Sequence, residues 1–96
     1  MPGKISYKVE YSEKAVHDLK SSDIQDSGRI RKKVRFFAHQ ENPLIFCEPL
    51  KGLNNRFRWR VGKWRIIFEK HPESNTLTIL WILAIEKRDK VYSKIK

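Results

Sequence analysis

The chain has 96 residues, and 21 lysines and arginines against 11 aspartates and glutamates give it a formal charge of +10. That length predicts a single domain spanning residues 1–96, able to bury a real core with a small stability margin. The charge points to an anionic partner (nucleic acid, an anionic membrane surface or an acidic protein) and selects no chemistry by itself. Cys47 is the only cysteine, which excludes an internal disulfide framework and fits a reducing compartment. The N-terminus lacks a hydrophobic signal core, and no apolar run approaches the ~20 residues that cross a bilayer. These features predict a soluble, cytoplasmic protein without a membrane partner.

In chain order, residues 4–11 alternate Ile5, Tyr7, Val9 and Tyr11 on one face and read as a first strand. Ser12 is a candidate N-cap, followed by Glu13 in the first helical turn. Ala15, Val16 and Leu19 then mark a short amphipathic helix to about Lys20. Residues 21–28 read as a turn, with Ser22 or Ser27 as cap of the next helix. Ile30, Val34, Phe37 and Ala38 form one stripe of that helix, which runs to about Gln40. Arg29, Arg31, Lys32, Lys33 and Arg35 crowd its remaining surface. They read either as a solvated face or as contacts to phosphate or to an acidic partner. Asn42-Pro43 ends the helix. Residues 43–50 connect onward, with Leu44, Ile45, Phe46 and Leu50 expected to pack beneath the helices and Cys47 read as a packed thiol.

The segment 51–68, KGLNNRFRWRVGKWRIIF, holds the strongest pattern. Two alternating runs flank Gly62-Lys63, which reads as a tight hairpin turn with Gly62 at positive φ. A two-residue loop sets Val61 opposite Trp64, Arg60 opposite Arg65, Trp59 opposite Ile66 and Arg58 opposite Ile67. One face is then apolar: Phe57, Trp59, Val61, Trp64, Ile66 and Phe68. The other carries Arg56, Arg58, Arg60 and Arg65. Between Lys51 and Arg65 there are six basic residues and no acidic one. Like charges facing each other across a sheet are destabilising, so a fold that keeps them points to an anionic ligand.

His71-Pro72-Glu73-Ser74-Asn75 reads as a turn. Residues 76–85, TLTILWILAI, are apolar on both faces and suit a central strand. The tail carries Lys87, Arg88 and Tyr92. The expected fold class is α+β. An N-terminal strand and two helices pack on one face of a small, mainly antiparallel four-stranded sheet, with a short C-terminal tail or helix. The opposite face is then a basic groove.

Phosphate-binding glycine loops, paired carboxylates and metal-ligand clusters are absent from the sequence, and His17, His39 and His71 are scattered singly. Any chemistry falls to Arg, Lys and Tyr, with no cofactor, no metal and no small-molecule substrate expected. Attack of an RNA 2′-hydroxyl on its own phosphate suits such residues. Arginine is a forked, permanently charged donor for phosphate oxygens but a poor base. Lysine acts as base only where neighbouring cations or burial lower its pKa. Tyr92 can stack on a base or bond a hydroxyl.

The segments LKGLNNRFRWRVGKWRIIFE and ILAIEKRDKVYSKI resemble the RelE/ParE superfamily of type II toxin–antitoxin toxins. The shared features are a leucine–basic–glycine step, a strand of alternating basic residues, a glycine turn followed by an aromatic–Arg strand, and a late basic pair before Val-Tyr. The resemblance to its RelE-like branch implies an mRNA interferase: an endoribonuclease that cleaves messenger RNA in the ribosomal A site and inhibits translation. An acidic cognate antitoxin would neutralise it. Lys51 matches the basic residue of the leucine step. Arg58 and Arg60 match the active strand, where RelE has lysines, and would orient or activate the 2′-hydroxyl. Arg65 and Arg88 would stabilise the phosphate and leaving group, and Tyr92 would position the base. Lys87 stands where many relatives have histidine and, on the resemblance, would be the substitute proton carrier. Lys51, Arg56, Lys63 and Lys90 are the further RNA contacts. The alternatives are a gyrase-inhibiting ParE-type toxin and a non-catalytic basic nucleic-acid-binding domain.

Overall fold

A computed structural model describes residues 5–52 and 55–87. The elements run β1 (Ser6–Tyr11), α1 (Glu13–Ser21), α2 (Ile24–Ala38), a 3₁₀ turn (Pro43–Phe46), β2 (Glu48–Pro49), β3 (Arg56–Val61), β4 (Trp64–Pro72) and β5 (Leu77–Lys87). The strands form one sheet in the order β1-β5-β4-β3-β2. β1 runs parallel to β5, and every other pair is antiparallel. The α+β expectation is therefore met, with five strands in place of four. The additional strand is β2, whose Glu48 and Pro49 pair with Arg58 and Phe57.

The hairpin has the register that its alternation predicts. Val61 faces Trp64, Arg60 faces Arg65, Trp59 faces Ile66 and Arg58 faces Ile67. Gly62 turns the chain at φ 58°, a region costly for residues with a Cβ. The inward residues Trp59, Val61, Ile66 and Phe68 are buried, and Phe57 and Trp64 pack against them half-exposed. Trp59 stacks on Phe68 at 4.1 Å between ring centroids and on Phe37 of α2 at 5.1 Å. Its indole N–H donates to the Pro43 carbonyl at 3.3 Å, so the 3₁₀ turn satisfies the one polar atom of the central aromatic.

Both helices bury their stripes on this face: Ala15 and Leu19 from α1, and Ile30, Val34 and Phe37 from α2. Ser12 caps α1 as expected, accepting from the Ala15 N–H at 3.0 Å. The cap of α2 is Asp23, which accepts from the Asp26 N–H at 2.8 Å. Neither Ser22 nor Ser27 serves, and residues 24–28 are already helical. Two further expectations change. β4 continues through His71 and Pro72, paired with Ile79 and Thr78. Ile45 and Phe46, expected beneath the helices, are 71% and 46% exposed. Cys47 is half-buried, and its thiol donates to the Leu44 carbonyl at 3.0 Å. Burial pushes its pKa up, which suits a packing thiol rather than a nucleophile.

The β4–β5 ladder slips at Ile67/Phe68, where Ile67 faces Ala84 and Phe68 faces Ile82. Leu83 is the extra residue of a β-bulge. The bulge explains how Ile82 and Ile85, three apart, both reach the helix-covered core. Side chains from the α1 region satisfy the disturbed backbone. Ser12 Oγ donates to the Leu83 carbonyl at 3.0 Å, and Asp18 accepts from the Ile85 N–H at 2.9 Å. Removing one partner of such a bond leaves a shielded donor unsatisfied. Asp18→Ala is therefore expected to destabilise the fold by about 1–3 kcal/mol in urea denaturation, whereas Lys14→Ala, which removes only the exposed Lys14–Asp18 pair, stays within about 0.5 kcal/mol of wild type.

Candidate functional site: an arginine-rich sheet face

The sheet face opposite the helices carries the alternate residues of each strand. Register places them in rows. Near the hairpin turn, Arg60 of β3, Arg65 of β4 and Glu86 of β5 lie side by side. The next row is Glu48, Arg58, Ile67 and Ala84. Beyond it come Arg56, Glu69, Trp81 and Glu10. The face is thus graded in charge and not uniformly basic, as the sequence had implied. Its hairpin end is cationic. Its far end is a depression of about 380 Å³ lined by Glu10, Glu69, His71, Glu73, Ile79 and Trp81.

Carboxylates from neighbouring strands tie the arginines in place. Glu48 accepts from Arg58 Nε at 3.3 Å and forms an ion pair with Arg60 Nε at 2.9 Å. Glu69 accepts from Arg56 Nε at 2.6 Å and lies 2.7 Å from His71 Nε2. The Arg58 hydrogen bond, with the charges of Arg60 and Arg58, holds the Glu48 carboxyl below the usual carboxylate range. Hydrogen bonds from His71 and then Arg56 lower that of Glu69. Arg65 has no ion pair among the described residues, and its cross-strand neighbours are Arg60 and Glu86. A phosphate approaching this end meets one guanidinium that has no carboxylate partner among the described residues and two held by a single surface carboxylate.

The residues named from the sequence are partly gathered here. Arg56, Arg58, Arg60 and Arg65 share the face. Lys63 is exposed at the hairpin turn, and Lys51 is exposed in the turn after β2. Lys87 ends β5 opposite Trp64, with its ammonium 5.8 Å from the Trp64 ring centroid. It therefore lies on the Trp64 side of the strand, and Glu86 occupies the Arg65 side. Arg88, Lys90 and Tyr92 lie outside the described residues. Two participants escaped the sequence reading, Glu48 and Glu69. Glu48 precedes Pro49 in a two-residue strand without periodicity, so only the β2–β3 pairing reveals it. Glu69 lies one residue past Phe68 on the parity of Arg65 and Ile67, so extending the alternation by one step finds it.

Among the described residues no cluster of His, Cys, Asp and Glu could hold a metal ion, and no helix is long and apolar enough to cross a membrane. The donor set is one of guanidinium groups around a carboxylate, which suits a phosphodiester and a proton to be moved.

Fold and face together define a small α+β protein with an arginine cluster on the open side of its sheet. Comparison with protein-family models and with curated proteins gives no match. Solved structures do match. The Mycobacterium tuberculosis RelBE2 toxin–antitoxin complex contains a chain 26% identical, with TM-score 0.59, covering 88% of this chain and 100% of that one. A RelB–RelE complex from Methanococcus jannaschii gives 20% identity and TM-score 0.63 over 90% and 98% of the two chains. The intact E. coli RelBE complex gives 12% identity and TM-score 0.66 over 84% and 95%. The chain is RelE-like across most of its length, as its motifs imply.

The carboxylate ties make stability pH-dependent. Both carboxyls have folded pKa values below their unfolded ones. Their contribution is present above the unfolded carboxylate pKa of about 4.3 and is lost as pH falls through the folded values. Urea titrations at descending pH are expected to show wild type losing stability below about pH 4, with a shallower loss in the Glu48→Gln, Glu69→Gln double variant.

Proposed function

We propose that the protein is the toxin of a type II toxin–antitoxin system and acts in the cytoplasm as a ribosome-dependent endoribonuclease. The observation that carries this reading is the Arg58–Arg60–Arg65 cluster on the exposed face of a RelE-like fold, with Glu48 tied to Arg58 and Arg60. The fold alone leaves the activity open, because one fold hosts many functions. The cluster supplies the chemistry.

In this mechanism a messenger RNA strand lies over the hairpin end of the sheet in the ribosomal A site. The 2′-hydroxyl attacks the adjacent phosphorus, forming the O2′–P bond while the P–O5′ bond breaks. Arg58, Arg60 and Arg65 neutralise the charge that builds on the phosphorane oxygens. Guanidinium groups cannot take the hydroxyl proton. Glu48 is the carboxylate in contact with the cluster, and it accepts that proton once phosphate oxygens draw Arg58 and Arg60 away from it. Arg88, which follows β5 in the sequence, stabilises the charge on the leaving O5′, which takes its proton from water. Lys87, on the Trp64 side of its strand, has no part in this step. Tyr92 stacks on a flanking base, while Lys51, Arg56, Lys63 and Lys90 hold phosphates along the strand. Guanidinium groups meet the charge requirement, so no metal or cofactor takes part.

The partner expected to silence this site is an acidic antitoxin. A charge of +10 favours it. So does an apolar cleft of about 480 Å³ between β1 and α2, where Tyr7, Val9, Val34 and Ala38 are rimmed by Arg31 and Arg35. Several of the RelE chains that this protein resembles were solved in complexes with RelB antitoxins.

The test is induced expression in bacteria, with 5′ ends mapped on translated messages. Wild type is expected to arrest growth and cut within codons only while translation proceeds. Arg65→Ala and Arg88→Ala are expected to relieve arrest. In a purified ribosome assay each is expected to lower the cleavage rate about 10²–10³-fold, and Glu48→Gln about 10²–10⁴-fold. Growth arrest with intact messages and a DNA-damage response would instead identify a gyrase poison. Full toxicity of both arginine variants would refute the nuclease.

A further inference from the structure

Away from the sheet face, α2 presents a second cationic surface that the mechanism above does not use. Arg29, Lys32, Lys33 and Phe36 are spaced three and four residues apart and so share one exposed side of the helix. Among the described residues none of the three cations has a carboxylate within ion-pair distance. Arg29 and Lys33, at i and i+4, stand about 6 Å apart and repel each other. Phe36 is 51% exposed although large and apolar. The Lys33 ammonium lies 5.5 Å from its ring centroid.

The 3₁₀ turn extends this surface. Phe46 is 46% exposed and Ile45 71%. Phe46 lies 6.2 Å from Phe36 and 5.5 Å from Phe37, between ring centroids. Anchorage on Phe37 accounts for one side of Phe46 and leaves the other open. The surface also has a direction. At its lower end, Phe46 stands two residues before Glu48, the carboxylate that ties Arg58 and Arg60. At its upper end, the Arg29 guanidinium approaches the hairpin turn, 3.8 Å from where a Cβ on Gly62 would stand. Lys63 follows Gly62 directly. The α2 surface thus meets the arginine cluster through β2 and meets Lys63 at the hairpin tip.

We propose that this side of α2, with the 3₁₀ turn, is a second RNA-binding surface, on which bases stack against Phe36 and Phe46 while phosphates lie along Arg29, Lys32 and Lys33. Interleaved cations and exposed aromatic rings are what single-stranded nucleic acid uses, because every base has a π-face and every linkage a charge. An acidic protein segment would satisfy the cations but gives no reason for two half-exposed phenylalanines beside them. The surface would hold RNA outside the cleavage site, and it rests on the reading of the protein as one that acts on RNA.

The test uses a fluorescein-labelled single-stranded RNA with 2′-O-methyl riboses, which cannot undergo scission, and measures its anisotropy with the full chain over a salt series. The variants are Lys32→Ala with Lys33→Ala, Phe36→Leu, Phe36→Trp, and Arg58→Ala with Arg60→Ala on the sheet face. All are first shown by circular dichroism to be folded. Losing two phosphate contacts is expected to reduce the salt slope by about 1.4. Phe36→Leu is expected to weaken binding roughly tenfold without changing that slope, and Phe36→Trp to retain it. Wild-type affinity and slope in the helix variants would overturn this proposal. Loss confined to the sheet-face variant would do the same while leaving the nuclease reading intact. Loss confined to the helix variants would uphold the surface and undermine the catalytic face. A polyglutamate peptide binding through Lys32 and Lys33, with RNA binding insensitive to them, would make the surface a protein-docking site and overturn the proposal.

Discussion

The stack of Trp59 on Phe68 is the contact on which the arrangement depends. It buries two large rings 4.1 Å apart beneath α2, whose Phe37 stacks on Trp59. Side chains alternate along a strand, so burying Trp59 commits Arg58 and Arg60 to the opposite face. Burying Ile66 and Phe68 likewise commits Arg65 and Ile67. A slip of one residue would drive three arginines into the core, at a cost far beyond the stability of a domain this size. The apolar side of the hairpin thus determines where the charged side presents its guanidinium groups. A site mounted on such a strand pair is positioned more rigidly than one on a loop.

Concentrating cations has a cost, and the fold offsets it locally. Arg60 faces Arg65 directly, an arrangement that opposes sheet formation. Glu48 from one flanking strand and Glu69 within the face restore partial neutrality through ion pairs, two of them charge-assisted hydrogen bonds. Because Glu48 is solvent-exposed, its ties are weak and salt-sensitive. They hold the guanidinium groups in the absence of ligand yet yield readily to a phosphodiester. In the proposed reaction the same carboxylate would then lack the partners that lower its pKa.

Much of this was legible in the sequence because the hairpin is locally encoded. Gly62-Lys63 specifies the turn, and two alternating runs specify the faces, so four cross-strand pairs could be read directly. The helix stripes were equally plain, because Ile30, Val34 and Phe37 repeat at the helical period. What escaped depends on chain segments meeting across the fold. β2 is two residues long and is a strand only because β3 lies beside it. The bulge at Leu83 shifts the parity of β5, so uniform apolarity there concealed which residues face the helices. Asp23 outcompeted two nearby serines as the α2 cap, a choice set by where the chain leaves α1. Pro72 looked like a turn residue, yet it closes β4 opposite Thr78, at a strand end where proline is tolerated. The acidic end of the open face was hidden for the same reason, since Glu10, Glu69 and Glu73 come together only through the sheet.

In the proposed function, the arginine face catalyses attack by the RNA's own 2′-hydroxyl on a ribosome-bound message. This claim is tested most directly with purified ribosomes carrying a message that has a single 2′-deoxynucleotide at a mapped cleavage position. If the claim holds, the all-ribose message is cut to leave a 2′,3′-cyclic phosphate on the upstream fragment, and the deoxy-substituted position resists while neighbouring sites are cut normally. Cleavage at the deoxy position, or a product that never carries the cyclic phosphate, would contradict it.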